Sequence, residues 1–320
     1  MKLIESKAEY LPQENGIEGI YKMIEVAGRT AYNSQDKITP DSAKDFVDRM
    51  IKSKHGAALE HGTVYLKMFS SDCRKERYAQ PEYTGKCRYT SDFYSKCTPR
   101  YHEVFGVKIY DEDIYVSTNY RVLVENGWLD DLQYLCSPTE FHEKRYTMRF
   151  TCSRAIANEL VRHRVFSFLQ ESTRYINYSK ERHGGEITFI IPSWLPEIGE
   201  SRVNTMLEEI NVREDIEDDK KSWIASCLLG ACMDTEKMYF EALENGATPQ
   251  QARDVLPNAT KTELIMTGFS SDWKHLFDLR LFEKTGAVHP DMLDLMQKAL
   301  GAMQVAGIWK DIMSKPSKFE

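Results

Sequence analysis

A chain of both strands and helices is what the patterning of these 320 residues predicts. Three stretches alternate apolar and polar residues with the period of two that a half-buried strand requires. Around them run segments whose apolar residues recur every three or four positions, as on one face of a helix.

An extended start gives way behind Gly16 to an amphipathic helix marked by Ile17, Ile20, Tyr21, Ile24 and Ala27. Arg29 to Ser34 reads as a polar turn. A second helix is expected from Thr39 as N-cap, with Pro40 in its first turn, to a stop by Gly56. Glu60 and His61 then precede the first alternating strand, where Val64, Leu66 and Met68 take turns with Thr63, Tyr65 and Lys67. A histidine at such a junction is by itself an ordinary loop residue.

From Asp72 to about Glu143 the chain changes in kind. Tyr78, Tyr83, Tyr89, Tyr94 and Tyr101 punctuate a polar, irregular segment. Two short helices follow, Asn119 to Gly127 and Trp128 to Cys136, the first closed by its glycine. Tyr146, Met148 and Phe150 mark the second strand, and Ile187, Phe189 and Ile191 the third, closed by Pro192 and Pro196. A long helical region comes next. Its acidic opening, Glu214, Asp215, Glu217, Asp218 and Asp219, reads as a solvated face, and Trp223, Cys227, Leu228 and Ala231 as a core stripe running towards Gly246. Thr248 and Pro249 open a further helix, and Ser270 to Arg280 sets His275 and Arg280 around Leu276, Phe277 and Leu279.

Composition narrows the function classes. With 42% hydrophobic residues the chain can bury a sizeable core, and 42 basic against 49 acidic residues leave a net charge of −7. A polyanion binder would carry the opposite balance, so no nucleic-acid partner is expected. No apolar run approaches membrane-spanning length, and the opening MKLIESKAEY lacks the apolar core of a signal peptide. Seven cysteines without a Cys-x-x-Cys pair indicate neither a disulfide framework nor a zinc ribbon, and the spacing of Cys73, Cys87, Cys97 and His102 suits no standard metal site. A reducing cytoplasm is the expected compartment, and no metal is expected.

Against that acidic background, Cys152 to Gly185 packs together Arg154, Arg162, Arg164, Arg174 and Arg182, with His163, His183, Tyr175 and Tyr178 among them. Ile156 with Leu160 and Ala157 with Val161 give its front half one apolar side, while Asn158, Glu159, Arg162 and His163 share a polar one. Helical order should end near Arg162–Arg164, leaving these side chains at an element's end, where sites tend to lie. Guanidinium forks match phosphates and planar carbonyl-bearing rings, and three cationic or imidazole side chains in a row must reach several anionic or aromatic partners or splay around a bound one. A stacking and phosphate platform for nucleic acid is the alternative from another class. The net charge and the lack of a second basic stripe argue against it.

The spacing Arg162-His163-Arg164, seven residues, Ser172, one residue, Arg174 resembles the signature of flavin-dependent thymidylate synthases. Three further pieces are similar in the family's order: Glu60-His61 before a strand, the stretch ending in Leu256-Pro257 with Arg253, and the closing stretch ending in Leu279-Arg280. Family members pass more directly from the Glu-His strand to the signature helix, so residues 72–143 read as an insertion in a single domain spanning 1–320. The resemblance implies an α+β fold, with a mixed sheet flanked by helices, one of them long, and a homotetramer with shared sites.

It further implies methylation of dUMP to dTMP, with methylenetetrahydrofolate as carbon donor and FADH2, regenerated by NADPH, as hydride donor. Carried over by position, Arg162, His163 and Arg164 would hold the FAD, with His61, Thr63, Gln170, Phe269, Ser271 and His275 around it. Glu159, Arg162, Gln170, Glu171, Ser172, Thr173, Arg174, Arg253 and Arg280 would surround the nucleotide, Arg280 as the catalytic cation. Cys152 reads as a buried structural thiol, and Ser172, without a base beside it, as a binding hydroxyl. Glu159 stands where many members carry Gln, Gln170 where many carry Glu, and Phe269 near a usual Asn. These departures leave room for a flavin-dependent modification, such as hydroxymethylation, of another pyrimidine nucleotide.

Overall fold

The computed structural model describes residues 1–69, 72, 87–104, 107–174, 177–180, 184–195 and 220–319, without the side chains of 99–104, 107–112 and 220–222. Its strands are β1 (Lys2–Ile4), β2 (Lys7–Leu11), β3 (Thr63–Phe69), β4 (Lys96–Val104), β5 (Val107–Asn119), β6 (Arg145–Ser153), β7 (Ser167–Gln170), β8 (Thr188–Ile190) and β9 (Lys261–Phe269). Its helices are α1 (Gly16–Ala31), α2 (Ser42–Lys52), α3 (Gly56–Leu59), α4 (Tyr120–Asn126), α5 (Arg154–Leu160), α6 (Lys220–Glu244), α7 (Pro249–Ala252), α8 (Ser270–Arg280), α9 (Pro290–Val305) and α10 (Trp309–Met313).

The strands form three sheets, so the architecture is α+β with both parallel and antiparallel pairing. A four-stranded antiparallel sheet runs β2-β6-β9-β7, a three-stranded antiparallel sheet runs β3-β5-β4, and β1 pairs with β8 in parallel. In the four-stranded sheet β9 is paired along both edges, to the full length of β6 and to all of β7. Leu264, Ile265 and Met266 are buried in succession there, on both faces of the sheet. One face packs with α5, α8 and α9 around Met148, Phe150, Trp273, Phe277 and Met296. Trp273 Nε1 donates to the Tyr146 carbonyl at 3.1 Å, satisfying its one polar atom inside that core. A second core gathers α1, α2 and the β3-β5 pair around Ile20, Ile24, Phe46, Val64, Leu66 and Leu123.

Several elements lie where the sequence places them. The helix behind Gly16, the strand at Val64–Met68, the strand at Tyr146–Phe150 and the long helix up to Glu244 are all present. Asn119 caps α4 by accepting from the Val122 amide at 3.1 Å, and Gly127 ends it at φ 69°, a conformation glycine adopts without strain.

Other expectations need correction. The helix α1 continues through Arg29 to Ala31, because Arg29 is held by Glu25 one turn earlier (3.0 Å). Thr39 is not the cap of α2; the helix starts at Ser42 behind Asp41, and the Ser42 hydroxyl accepts from the Thr39 amide. The segment after Asp72 is not irregular throughout: β4 and β5 pair antiparallel, and β5 pairs in turn with β3. The β4-β5 ladder shifts register between Pro99 and Tyr101: two steps along β4 oppose four along β5, from Ile114 to Tyr110, so the extra residues lie in the inner strand. Two strands, β1 and β2, precede the strand expected first, and β7 and β9 appear without an alternating signal. Leu129–Tyr134 is a 3₁₀ turn instead of an α-helix. On α6 the buried face is Ala225, Leu229, Cys232 and Tyr239, whereas Trp223, Cys227 and Ala231 are exposed, so the core stripe is rotated about the axis.

Cys152 is buried, and burial pushes its thiol up to about 12. Cys87 is disulfide-bonded, against the expectation of free thiols; Cys97, Cys136, Cys152, Cys227 and Cys232 are free. No described helix is long and apolar enough to cross a membrane. Tyr175, Arg182, His183, Cys73 and the acidic run at 214–219 lie outside the described residues.

The close packing of β9 on the signature turn is testable at Gly268. A Cβ there would meet Phe166 Cδ1 at 2.3 Å. Gly268→Ala is expected to lower stability by about 1–3 kcal/mol, the scale for overpacking a full core. Urea unfolding measures it, and an unchanged midpoint would mean that the Phe166 ring yields freely.

Candidate active site

The signature is positioned by a short helix and a tight turn. Ser153 caps α5 by accepting from the Ile156 amide at 3.3 Å, and Ile156, Ala157 and Leu160 face the core. After Leu160 the chain turns: the His163 amide donates to the Leu160 carbonyl and the Phe166 amide to the His163 carbonyl, both near 3 Å. Arg162 and Arg164 therefore point out into solvent on either side of a half-buried His163.

Arg280, at the end of α8, meets this turn. Its Nε donates to His163 Nε2 at 3.2 Å, and its Nη1 lies 3.7 Å from Glu159 Oε2. The contact joins residues 117 positions apart. Burial first, then the charge of Arg280 and the neighbouring His275, lower the His163 pKa to about 4. The imidazole is thus neutral near pH 7, and because Nε2 accepts from Arg280 its proton belongs on Nδ1. His275 is held low by burial and then by Lys318, and its ring stacks on Phe319 with centroids 5.5 Å apart.

A second group surrounds the start of α8. His61 is fully buried, its Nδ1 sharing a hydrogen bond with Thr267 Oγ1 (2.8 Å), which bonds onward to Thr147 Oγ1 (2.8 Å). Burial and then the Arg145 charge lower the His61 pKa to about 3. Thr63 is clamped by Gln13, which accepts from its amide and donates to its carbonyl, each at 2.8 Å. Arg145, also buried, donates to the carbonyls of Glu60 (3.2 Å) and Thr118 (3.4 Å), to Thr63 Oγ1 (3.4 Å) and to Ser167 Oγ (3.4 Å). Its guanidinium carbon lies 5.4 Å from the centre of the Phe269 ring. Sequence reasoning missed Arg145, since an arginine opening an alternating strand reads as its polar partner. Gln13 and Lys96 were missed too, because only long-range pairing brings them here.

A third group lies at the other end of β7 from His163. Gln170 Nε2 donates to Thr262 Oγ1 at 3.3 Å. Glu171 is buried, and its carboxylate accepts from Lys261 Nζ (3.1 Å) and the Glu263 amide (3.2 Å). Burial raises its pKa against the pull of Lys261; burial opposes the charge on Lys261, but Glu171 and Glu263 raise that pKa overall. The Arg174 amide donates to Ser172 Oγ (3.4 Å), and Arg253 Nη1 donates to the buried Thr173 hydroxyl (3.4 Å). A cavity of about 340 Å³ opens beside Glu171, Lys261, Asn33 and Tyr178. Glu159, His163, His275 and Arg280 thus converge in one place, His61, Thr63, Phe269 and Ser271 in a second, and Ser172, Thr173, Arg174 and Arg253 in a third.

Fold and site together define an α+β protein with arginines gathered at both ends of β7 on a central antiparallel sheet. The chain belongs to the thymidylate synthase complementing protein family, whose sequence profile matches residues 110–304. A flavin-dependent thymidylate synthase from Pyrococcus furiosus is 33% identical over 133 residues, 42% of this chain and 44% of that protein. One from Corynebacterium efficiens is 35% identical over 134 residues, 41% of this chain and 47% of that protein. The chain thus matches slightly less than half the length of these relatives. Among solved structures, the UMP/dUMP methylase PolB from Streptomyces cacaoi, bound with 5-Br dUMP, aligns over 98% of this chain and 97% of its own at 14% identity, with a TM-score of 0.41.

The depressed histidines set a pH dependence. Below pH 6.5, the ordinary histidine value, the unfolded chain takes up protons that folded His163 refuses until about pH 4 and His61 until about pH 3. The unfolded state then binds more protons, so stability is full above pH 6.5 and is lost as pH falls towards 4. The urea midpoint should drop between pH 7 and 5, and His163→Gln should flatten that drop. An equally steep fall in the variant would mean that His163 titrates freely in the folded protein.

Proposed function

We propose that this chain is a flavin-dependent nucleotide methyltransferase that makes dTMP from dUMP, with methylenetetrahydrofolate as carbon donor and NADPH as reductant of its FAD. The observation that carries the reading is the meeting of Arg280 with His163 and Glu159, which unites the closing stretch with the signature turn at one point. The residues fit a flavin: His275 Nδ1, Arg145 Nε and Ser270 Oγ are buried polar atoms without a hydrogen-bond partner among the described residues, and they lie on or beside the residues assigned to it. In this reading Arg162, His163, Arg164, His61, Thr63, Gln170, Phe269, Ser271 and His275 hold the FAD. When bound, the flavin supplies the hydride, and the protein contributes orientation and electrostatics.

Arg280 does the polarising. Its guanidinium, beside a pyrimidine carbonyl, stabilises the negative charge that develops as carbon 5 becomes nucleophilic. Neutral His163 accepts from its Nε and so fixes the fork with its remaining donors turned elsewhere. Arg174, Arg253 and Ser172 supply the cations and hydroxyl that a dianionic phosphate needs. They lie at the far end of β7 from Arg280, so this reading uses a homotetramer in which one copy's Arg280 serves the nucleotide held by another.

A second reading has one observation in its favour. The Glu159 carboxylate, 3.7 Å from Arg280, is a pure acceptor and suits a ring that offers an amino group, as a cytidine nucleotide does. Anaerobic oxidation of the pre-reduced flavin with the folate and either dUMP or dCMP decides between the two.

In that assay Arg280→Ala should slow flavin oxidation by about 10²–10³, the scale for losing one charge-stabilising donor, and leave reduction by NADPH nearly unchanged. Lys should rescue only in part, since a point charge cannot copy the planar fork. Normal turnover in Arg280→Ala would put the activating cation elsewhere. Arg174→Ala or Arg253→Ala should each weaken dUMP binding about ten- to a hundredfold, the loss of a charge-assisted bond of about 1.5–3 kcal/mol. Equal affinity in both variants would remove them from the site.

A further inference from the structure

Lys96, the first residue of β4, has no part in the reading above, and it reaches the first turn of α8. Its Nζ donates to Ser271 Oγ and to Glu143 Oε1, each at 2.7 Å, and sits 4.5 Å from the centre of the Phe269 ring. The sheet explains its aim. Lys96 is paired with Ser117 and Ser117 with Tyr65, so all three side chains leave the same face. On that face the Tyr65 hydroxyl accepts from the Arg145 amide at 2.8 Å. The segment read as an insertion therefore forms a wall against Thr63, Phe269 and Ser271.

The helix itself does not call for this ammonium. A cation at the start of an eleven-residue helix opposes the helix dipole. That end is already capped: Asp272 accepts from the Phe269 amide (3.1 Å) and Glu143 from the Ser271 amide (3.2 Å). Lys96 and buried Arg145 together flank one aromatic ring, with Lys144 next in the chain to Arg145. Of the three donors on the Lys96 ammonium two are used among the described residues, and its side chain keeps 34% of its exposure, which leaves one donor for a further acceptor.

We propose that Lys96 is a cofactor-positioning residue, which anchors Ser271 and Phe269 and turns its remaining donor towards the flavin ring system, favouring the reduced form that carries negative charge. The proposal rests on the flavin reading of the site and adds to it a residue from outside the signature. Glu143 offsets part of the charge, so the effect is modest.

The test is the midpoint potential of FAD bound to the full chain, with FAD affinity measured by fluorescence. Lys96→Gln should reduce the preference for reduced over oxidised flavin about tenfold, a shift of about 30 mV to more negative potential for a two-electron couple. Lys96→Arg, which keeps the charge, should hold the wild-type potential. Ser271→Ala, which removes one anchor and leaves β4 intact, should shift it the same way by less. A merely structural Lys96 would lower stability without this ordering by charge. FAD bound with one potential in all four proteins overturns the role of Lys96 alone, whereas a wild type that binds no FAD overturns the flavin reading and this proposal with it.

Discussion

Everything at the site depends on β9 being paired along both edges. All nine of its residues pair with β6 on one side and four of them, Leu264 to Thr267, with β7 on the other, so the strand cannot slide relative to either. That constraint puts Thr267 against His61, sets Phe269 beside Arg145 and launches α8 in the direction that returns Arg280 to His163. β7, which follows the signature turn, is only four residues long and takes its register from β9. The two ends of β7 are the two ends of the candidate site.

The second constraint is electrostatic. Arg145 is buried with no carboxylate at ion-pair distance among the described residues, and burial lowers its pKa while Tyr65, Glu60 and Asp272 oppose that. An isolated buried cation is costly unless its donors are satisfied. Here carbonyl and hydroxyl oxygens do so in part, and the Phe269 face adds a cation–π contact. The charge also explains its neighbour: His61 stays neutral because burial and Arg145 both penalise its protonation. The same logic repeats at Arg280 and His163. Each pair combines a permanent cation with an imidazole kept as an acceptor or neutral donor.

Much of this was legible in the sequence, and the reasons for the failures are physical. The 3.6-residue period exposed α1 because Ile20 and Ile24 meet the core on one face only. β3 and β6 showed their alternation even though most of their residues, such as Thr63 and Thr147, are buried on both sides. β9 gave no such signal, since a strand covered on both faces carries Leu264, Ile265 and Met266 in a row. On α6 the exposed Trp223 and Met238 are as apolar as the buried Leu229, so composition could not tell the inner face from the outer. Among the candidate site residues, Arg162, His163 and Arg164 stood out through the spacing of the signature, and Arg280 through the resemblance of the stretch that it closes. Arg145 and Lys96 act through partners more than a hundred positions away, Phe269 and Ser271, and no local pattern can announce such contacts.

The register shift between Pro99 and Tyr101 has a consequence for how this segment can change in descent. On its near side Lys96 to Pro99 pair with Ser117 to Ile114, and on its far side Tyr101 to Val104 pair with Tyr110 to Val107. A slip of one residue turns every side chain of a strand to the opposite face. The near half therefore tolerates substitution but not a change of length, because any deletion there would swing Lys96 away from Ser271. The far half is insulated by the irregularity, which already breaks the ladder. Changes of length beyond the irregularity are thus compatible with a base, Lys96 to Pro99 against Ser117 to Ile114, that is inherited as a unit.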